Sequence, residues 1–262
     1  MRTMGYTPYL ADPDVWMKLM RRESNNFKYY AYLLLWVDGC LVIHHTALNE
    51  LYKLDKYFKM KDGSIGDPDM YLGAKLRKFT LENGVQTWGL SPSKYVHDAI
   101  SNMENYPHQE LDGRKLLKRA PTPFENEYTP ELNVLSELDT KTATFYQTQV
   151  GVLRWIVKLG QINIITEASL LASQMALPKE GHLDVLVQIF LYLKGKHNSR
   201  MIFDPTYPEI NYDEFLKHYW TNFYGEVKKV IPPNAPRTAG KDIDLQMFVD
   251  SDHAGDKATR RS

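Results

Sequence analysis

Residues 29–45 read YYAYLLLWVDGCLVIHH. Two runs rich in β-branched and aromatic residues, 29–37 and 40–45, flank the pair Asp38-Gly39. Asp-Gly between apolar runs is among the strongest short hairpin signals, so the stretch predicts two antiparallel strands with Asp38-Gly39 as their turn. A tight hairpin also holds its tip rigidly and can carry carboxylates beyond the sheet edge. The stretch therefore poses a chemical question: Asp38-Gly39 is either only a turn or the remnant of a site that needed a second carboxylate.

Working outward, residues 13–21, PDVWMKLMR, predict a short helix with Pro13 near its start. After the hairpin, 46–60 place Leu48, Leu51, Leu54 and Phe58 at three- and four-residue spacing, an amphipathic helix with Thr46 as N-cap. Residues 62–69 are turn chemistry, and 70–90 read as a second hairpin around Asn83-Gly84. A helix opens at Ser91 or Ser93, with Pro92 in its first turn. The polar, proline-bearing stretch 106–130 reads as a surface connection.

Three helices follow. The first, 142–159, presents Phe145, Val152, Trp155, Ile156 and Leu159 and ends at Gly160. The second, 162–177, stops at Pro178, and the third, 181–194, stops at Gly195. Their short connections imply a packed helical block. Tyr146, Trp155, Phe190 and Tyr192 read as its core. A strand is expected at 200–204 and a proline-bearing tether at 225–243. The class is α+β.

Lysine plus arginine and aspartate plus glutamate both number 32, so bulk charge argues for no class of partner and only local patches can. The longest uncharged apolar stretch, 29–37, is too short to span a bilayer. With one cysteine, Cys40, a disulfide framework is excluded, and the expectation is an intracellular chain, cytoplasmic or nuclear, with no signal peptide and no membrane partner. Cys40 itself reads as a small core residue. His44 and His45, as adjacent strand residues, would face opposite sides and not share a metal. His182 and Asp184 fit the start of a helix. The cluster Arg114, Lys115, Lys118 and Arg119 reads either as a solvated loop or as a contact to backbone phosphates.

Several segments, in their order, carry a family resemblance. ADPDVWMK (11–18) precedes the hairpin. YKLDKYFKMKD (52–62), YLGAKL (71–76) and LSPSKYVHDAI (90–100) follow it. Then come the helical block 151–196 and FVDSDHAGDKATRRS (248–262). In this order and spacing the chain resembles the reverse transcriptase of copia-type LTR retrotransposons running into ribonuclease H. The resemblance implies a partial palm with a primer-grip-like hairpin over 1–90 and thumb- or connection-like helices over 91–199. It implies a connecting segment over 200–243 and the start of a ribonuclease H-like domain over 244–262.

The same resemblance places Asp38 on the first aspartate of the family's metal-binding pair and Gly39 on the second. Gly73 and Lys75 fall in the primer grip, Lys94 at the opening of the thumb, and Asp250 on the first ribonuclease H carboxylate; Asp252 and Asp256 match no catalytic position. The parent chemistry is two-metal nucleotidyl transfer with Mg²⁺. A single carboxylate at Asp38, and another at Asp250, leave incomplete metal sites, since Mg²⁺ is held weakly by one ligand. The ends read as those of a piece of a longer protein, lacking an upstream palm aspartate and later ribonuclease H carboxylates. Three readings follow: a catalytically silent fragment without stably bound Mg²⁺, a module that still holds RNA–DNA or DNA template–primer, and a polymerase whose missing palm comes from another chain or lies beyond wrongly trimmed gene boundaries. Oligomeric state is not legible. The N-terminal hairpins are expected to be the weaker half and 142–195 the most stable.

Overall fold

The computed structural model describes residues 1–37, 39–105, 119–124, 128–206, 221–226, 230 and 232–241. Among the described residues, eight strands and six α-helices form a mixed α+β fold with two four-stranded antiparallel sheets, ordered β1-β2-β3-β4 and β5-β6-β7-β8. The strands are β1 Thr7–Pro8, β2 Val15–Arg21, β3 Lys28–Trp36, β4 Gly39–Ile43, β5 Met70–Tyr71, β6 Ala74–Thr80, β7 Gln86–Ser91 and β8 Met201–Ile202. The helices are α1 Ala47–Asp55, α2 Ser93–Glu104, α3 Thr140–Lys158, α4 Ile165–Ser173, α5 Glu180–Lys196 and α6 Thr221–Tyr224. They belong to two compact units, one built on Met1–Gly66 with Pro205–Leu245, the other on Asp67–Asp204. One boundary between the units falls at Gly66–Asp67; the second unit holds both the β5–β8 sheet and the helical block, since β7 pairs with β8, which follows that block.

In the first unit β3 and β4 form the expected hairpin, but its register corrects the turn. Trp36 pairs with Gly39, so the two-residue loop is Val37-Asp38 and Gly39 is already the first residue of β4. The short helix expected at 13–21 is strand β2. It pairs along its whole length with β3, from Val15↔Leu34 to Arg21↔Lys28. Locally Leu, Met and Lys favour helix, but pairing places Trp16 opposite Leu33 and Met20 opposite Tyr29, and these cross-strand contacts override propensity.

Strand alternation sorts the first sheet into two faces. Tyr6, Leu33 and Leu54 are buried on one, packed by Met1, Met4, Trp16, Leu35, Cys40, Val42 and Met60. Helix α1 covers this face with Leu54 and, one turn earlier, the buried Glu50. The leucine stripe expected for this helix is only partly right: Leu48 and Phe58 are exposed, and Phe58 lies beyond the helix end. Leu19, Trp36 and Ile43, on the opposite face, are about half exposed. Part of the expected tether is tied to this unit: Tyr30 Oη donates to Arg237 O (2.8 Å) and Gly240 N–H to Lys28 O (2.8 Å).

The second unit packs α2 to α5 around sixteen buried core residues, among them Met103, Tyr146, Leu153, Leu186 and Phe190. Asp139 caps α3, accepting from the Lys141 and Thr142 N–H groups and the Thr142 hydroxyl, and these bonds hold its carboxyl below the usual range. The buried stripe of α3 is Tyr146, Gln149, Val150, Leu153 and Ile156; of the expected stripe Ile156 and, at the helix end, Leu159 are buried, and the other three residues are not. Phe145 and Val152 only flank the core, and Trp155 is half-buried. Gly160 does end the helix: at φ 109° it forms a Schellman motif, with Gly160 N–H bonded to Val157 O and Gln161 N–H to Ile156 O. Helix α4 stops at Ser173, short of Pro178, and α5 runs through Gly195 to Lys196. Residues 201–202 extend the sheet as β8.

The two cores differ in size by enough to separate their stabilities, since full burial of a large apolar side chain contributes about 1.5–3 kcal/mol. Amide hydrogen exchange should find α3 and α5 the most protected elements, with β1–β4 exchanging markedly earlier. Protection of β3–β4 equal to that of α3 would contradict this.

Candidate functional site

Asp38 lies outside the described residues, and its neighbours Val37 and Gly39 lie within them. Val37, the first residue of the two-residue loop, has φ 46° and is 96% exposed. The primed turns of such loops require positive φ at that position. A β-branched residue there is a steric outlier, strained by roughly 1–2 kcal/mol. Gly39 behaves otherwise than expected: its φ is not in the left-handed region, so the hairpin does not need glycine there. A Cβ built on Gly39 meets only Trp36 O, at 3.4 Å, an ordinary contact. The backbone therefore admits an aspartate at 39.

The second sheet carries the other residues singled out. Gly73 has φ 88° and follows Leu72 at φ 53°; together they form the two-residue loop of the β5–β6 hairpin, with Tyr71 paired to Ala74. The positive φ is what suits glycine at 73, since a Cβ there would meet the Tyr95 ring of α2 only at an ordinary 3.6 Å. Lys75 lies opposite Ser91, the end of β7, and Lys94 stands in the first turn of α2 just beyond. Both are partly exposed and weakly paired at the surface, Lys75 with Asp69 (3.7 Å) and Lys94 with Asp98 (3.0 Å). The structure thus gathers Gly73, Lys75 and Lys94 around the start of α2. Arg119 is exposed and its stem lies over Gly195 of α5. Arg114, Lys115, Lys118 and Asp250 lie outside the described residues.

Three cations of this sheet were not singled out in the sequence. Arg77 and Lys78 continue β6 beyond Lys75, and Arg200 precedes β8. Lys78 Nζ sits 5.2 Å from the Trp88 ring centroid and Arg200 5.0 Å from that of Phe79. The tetrad KLRK at 75–78 was the available signal. On a strand it spreads positive charge over both faces.

The histidines correct one expectation. Strand β4 ends at Ile43, so His44 and His45 are not constrained to opposite faces; their rings stack with centroids 4.5 Å apart. His44 Nδ1 accepts the Thr46 N–H (2.9 Å), which fixes the neutral tautomer with its proton on Nε2, and burial lowers its pKa. Tyr29 Oη is hydrogen-bonded to His45 Nδ1. Nearby, Glu50 accepts from Lys53 Nζ (2.7 Å) and Tyr6 Oη (3.4 Å). Burial disfavours the Glu50 charge, but the Lys53 bond and the charges of Lys18 and Lys53 outweigh it and hold the pKa below the ordinary value. Among the described residues no three His, Cys, Asp or Glu side chains converge to hold a metal. Burial pushes the Cys40 thiol up to about 11, which suits a packing role. His182 is a satisfied core histidine: Nδ1 accepts from Lys179 N–H (3.0 Å) and Nε2 donates to Pro130 O (2.9 Å).

Two predictions follow from this geometry. Val37→Gly should stabilise the first unit by about 1 kcal/mol by removing the positive-φ strain, while Gly39→Asp should change its stability little; urea denaturation measures both, and a large loss in Gly39→Asp would refute the register argument. The second concerns pH. Folding lowers the pKa of His44 and of His182, in both cases mainly through burial. The unfolded chain therefore binds more protons below its ordinary histidine pKa, about 6.5, and stability is lost as the pH falls through that value toward the folded one. Thermal midpoints should hold from pH 8 to 7 and decline by pH 5, and the decline should be shallower in His44→Gln. An unchanged slope in that variant would assign the effect elsewhere.

No helix among the described residues is long and apolar enough to cross a membrane. In comparison with known families, curated proteins and solved structures, no family model, protein or structure matches this chain.

Proposed function

We propose that the chain is a reverse-transcriptase-type polypeptide of a copia-type LTR retrotransposon, silent in nucleotidyl transfer. The observation that carries this is the β3–β4 hairpin. Its two-residue loop ends in Asp38, and the residue after it, where the family has its second aspartate, is Gly39. Strain at Val37 supports the reading, because residues held in sparsely populated backbone conformations cluster at functional sites. The segment order supports it too: the hairpin and its helix come first, then a second hairpin, then a helical block. Mg²⁺ would be held in the parent chemistry by carboxylates at the hairpin tip. In this chain Asp38 would be left to hold it without the neighbour at 39. Gly39 has no side-chain oxygen, so the hairpin supplies one carboxylate where the chemistry needs a pair.

A second reading has its own support. Lys75 and Arg77 share one face of β6 and Lys94 stands in the first turn of α2; Lys75 and Lys94 are paired only at the surface, with Asp69 and Asp98, whereas Lys78 is on the other face and bonded to Asp67 (2.6 Å). Such a surface suits the phosphate backbone of an RNA–DNA or DNA template–primer, with affinity that does not depend on sequence. The silent chain would then remain a duplex-holding module.

Equilibrium binding of a labelled RNA–DNA hybrid across a salt series, run beside a primer-extension assay with Mg²⁺, tests both readings. The expected outcome is no extension, with binding that weakens about 100-fold between 50 and 200 mM salt if roughly four phosphates are contacted. Lys75→Ala with Lys94→Ala should make the salt dependence shallower by about two phosphate contacts. Primer extension by the unmodified chain would overturn the silence. Absence of hybrid binding by folded protein would overturn the module.

A further inference from the structure

Two histidines of the second unit play no part in either reading above, and their rings touch. His97 lies on α2 and His197 follows the last residue of α5; the ring centroids are 4.2 Å apart and the planes are tilted by 53°. We propose that His97 and His197 form a two-imidazole site for a divalent late transition metal, Zn²⁺ or Cu²⁺, that clips α2 to the end of α5.

The free ring nitrogens carry the proposal. Elsewhere the histidine nitrogens are committed: His182 has both bonded, His44 Nδ1 accepts from Thr46 N–H, and His45 Nδ1 is bonded to Tyr29 Oη. Among the described residues no ring nitrogen of His97 or His197 is hydrogen-bonded, and His197 Nδ1 is buried as well. A buried nitrogen without a partner bears an uncompensated desolvation cost, and a bound ion removes it. His97 is exposed and can turn about its side-chain bonds, so its ring can bring a nitrogen to a metal held by His197 Nδ1. Imidazole nitrogen suits Zn²⁺ and Cu²⁺. At a metal–nitrogen distance of about 2.0–2.1 Å, two donors sharing one ion stand about 3 Å apart, within reach of rings already in contact.

The surroundings admit a cation. His197 caps the C-terminus of the 17-residue helix α5, the negative end of its dipole. The lysines one turn before each histidine are answered by carboxylates, Lys94 by Asp98 (3.0 Å) and Lys194 by Glu104 of α2 (2.5 Å). Lys196 is exposed, and Arg200 lies over the Phe79 ring. No third His, Cys, Asp or Glu converges on the pair among the described residues, so water completes the coordination. Mg²⁺ takes oxygen ligands and is not served here, which separates this site from the chemistry of the hairpin tip.

The test is a titration of the isotope-labelled full chain with zinc chloride, following the imidazole signals of His97 and His197 by NMR. Both rings should shift together and saturate, the thermal midpoint should rise, and EDTA should reverse both effects. His97→Gln and His197→Gln should each weaken binding by at least about tenfold. His97 is exposed, and an unchanged amide spectrum away from the site will show that its variant folds. Magnesium chloride should move neither ring. A response of one ring alone, an equal response to Mg²⁺, shifts confined to His44 and His45, or full Zn²⁺ binding by folded His97→Gln would overturn the proposal. None of these outcomes depends on whether the chain holds a nucleic-acid duplex.

Discussion

The first unit depends on one register, Trp36 opposite Gly39. Because side chains alternate along a strand, this pairing puts Leu33, Leu35, Cys40 and Val42 together beneath α1. A slip of one residue would turn them all to the other face and bring Leu34, Leu41 and Ile43 in. The same pairing makes Val37 and Asp38 the loop, accepts positive φ at a valine, and releases the chain after Ile43 so that His44 and His45 stack. The burial energy of the Leu33 face outweighs about 1–2 kcal/mol of backbone strain at one exposed residue.

The second unit is governed by a different constraint, burial on the inner faces of α2, α3 and α5. Its polar groups are arranged to permit that burial. The buried Tyr146 donates to Leu171 O (2.8 Å), His182 bridges Lys179 and Pro130, and Gln161 donates to Lys196 O (3.0 Å) and Ser199 Oγ (3.1 Å). Each bond removes a desolvation penalty that an unpaired group would impose. Gly160 turns the chain where α3 must stop for Ile164 to reach the core.

The chemistry sits on surfaces that these two cores do not use. A chain of zero formal net charge still places Lys75 and Arg77 side by side on one face of β6, because pairing chooses which charges are neighbours. Glu50 illustrates the reverse case. It is a helix carboxylate buried against Tyr6 and Lys53. A buried carboxylate is tolerable only because those partners compensate its lost hydration.

Much of the local structure was legible. The β3–β4 hairpin, the 70–90 hairpin, the cap on α3's far end at Gly160 and the α+β class follow from alternation, turn chemistry and spacing, which act over a few residues. The candidate pair Asp38-Gly39 was legible as a motif, but its backbone was not: the sequence placed the turn on Asp38-Gly39, and the register pairs Gly39 with Trp36 and leaves the positive φ to Val37. What only the tertiary structure decided shares one cause. Residues 15–21 became a strand because β3 lay beside them, α3 turned Tyr146, Gln149 and Leu153 inward because α2 and α5 flank it, and β8 joined a sheet formed more than a hundred residues earlier. Local patterns state which conformations a segment can adopt at little cost. Which one it takes is settled by contacts between residues far apart in sequence, and those exist only once the chain has folded.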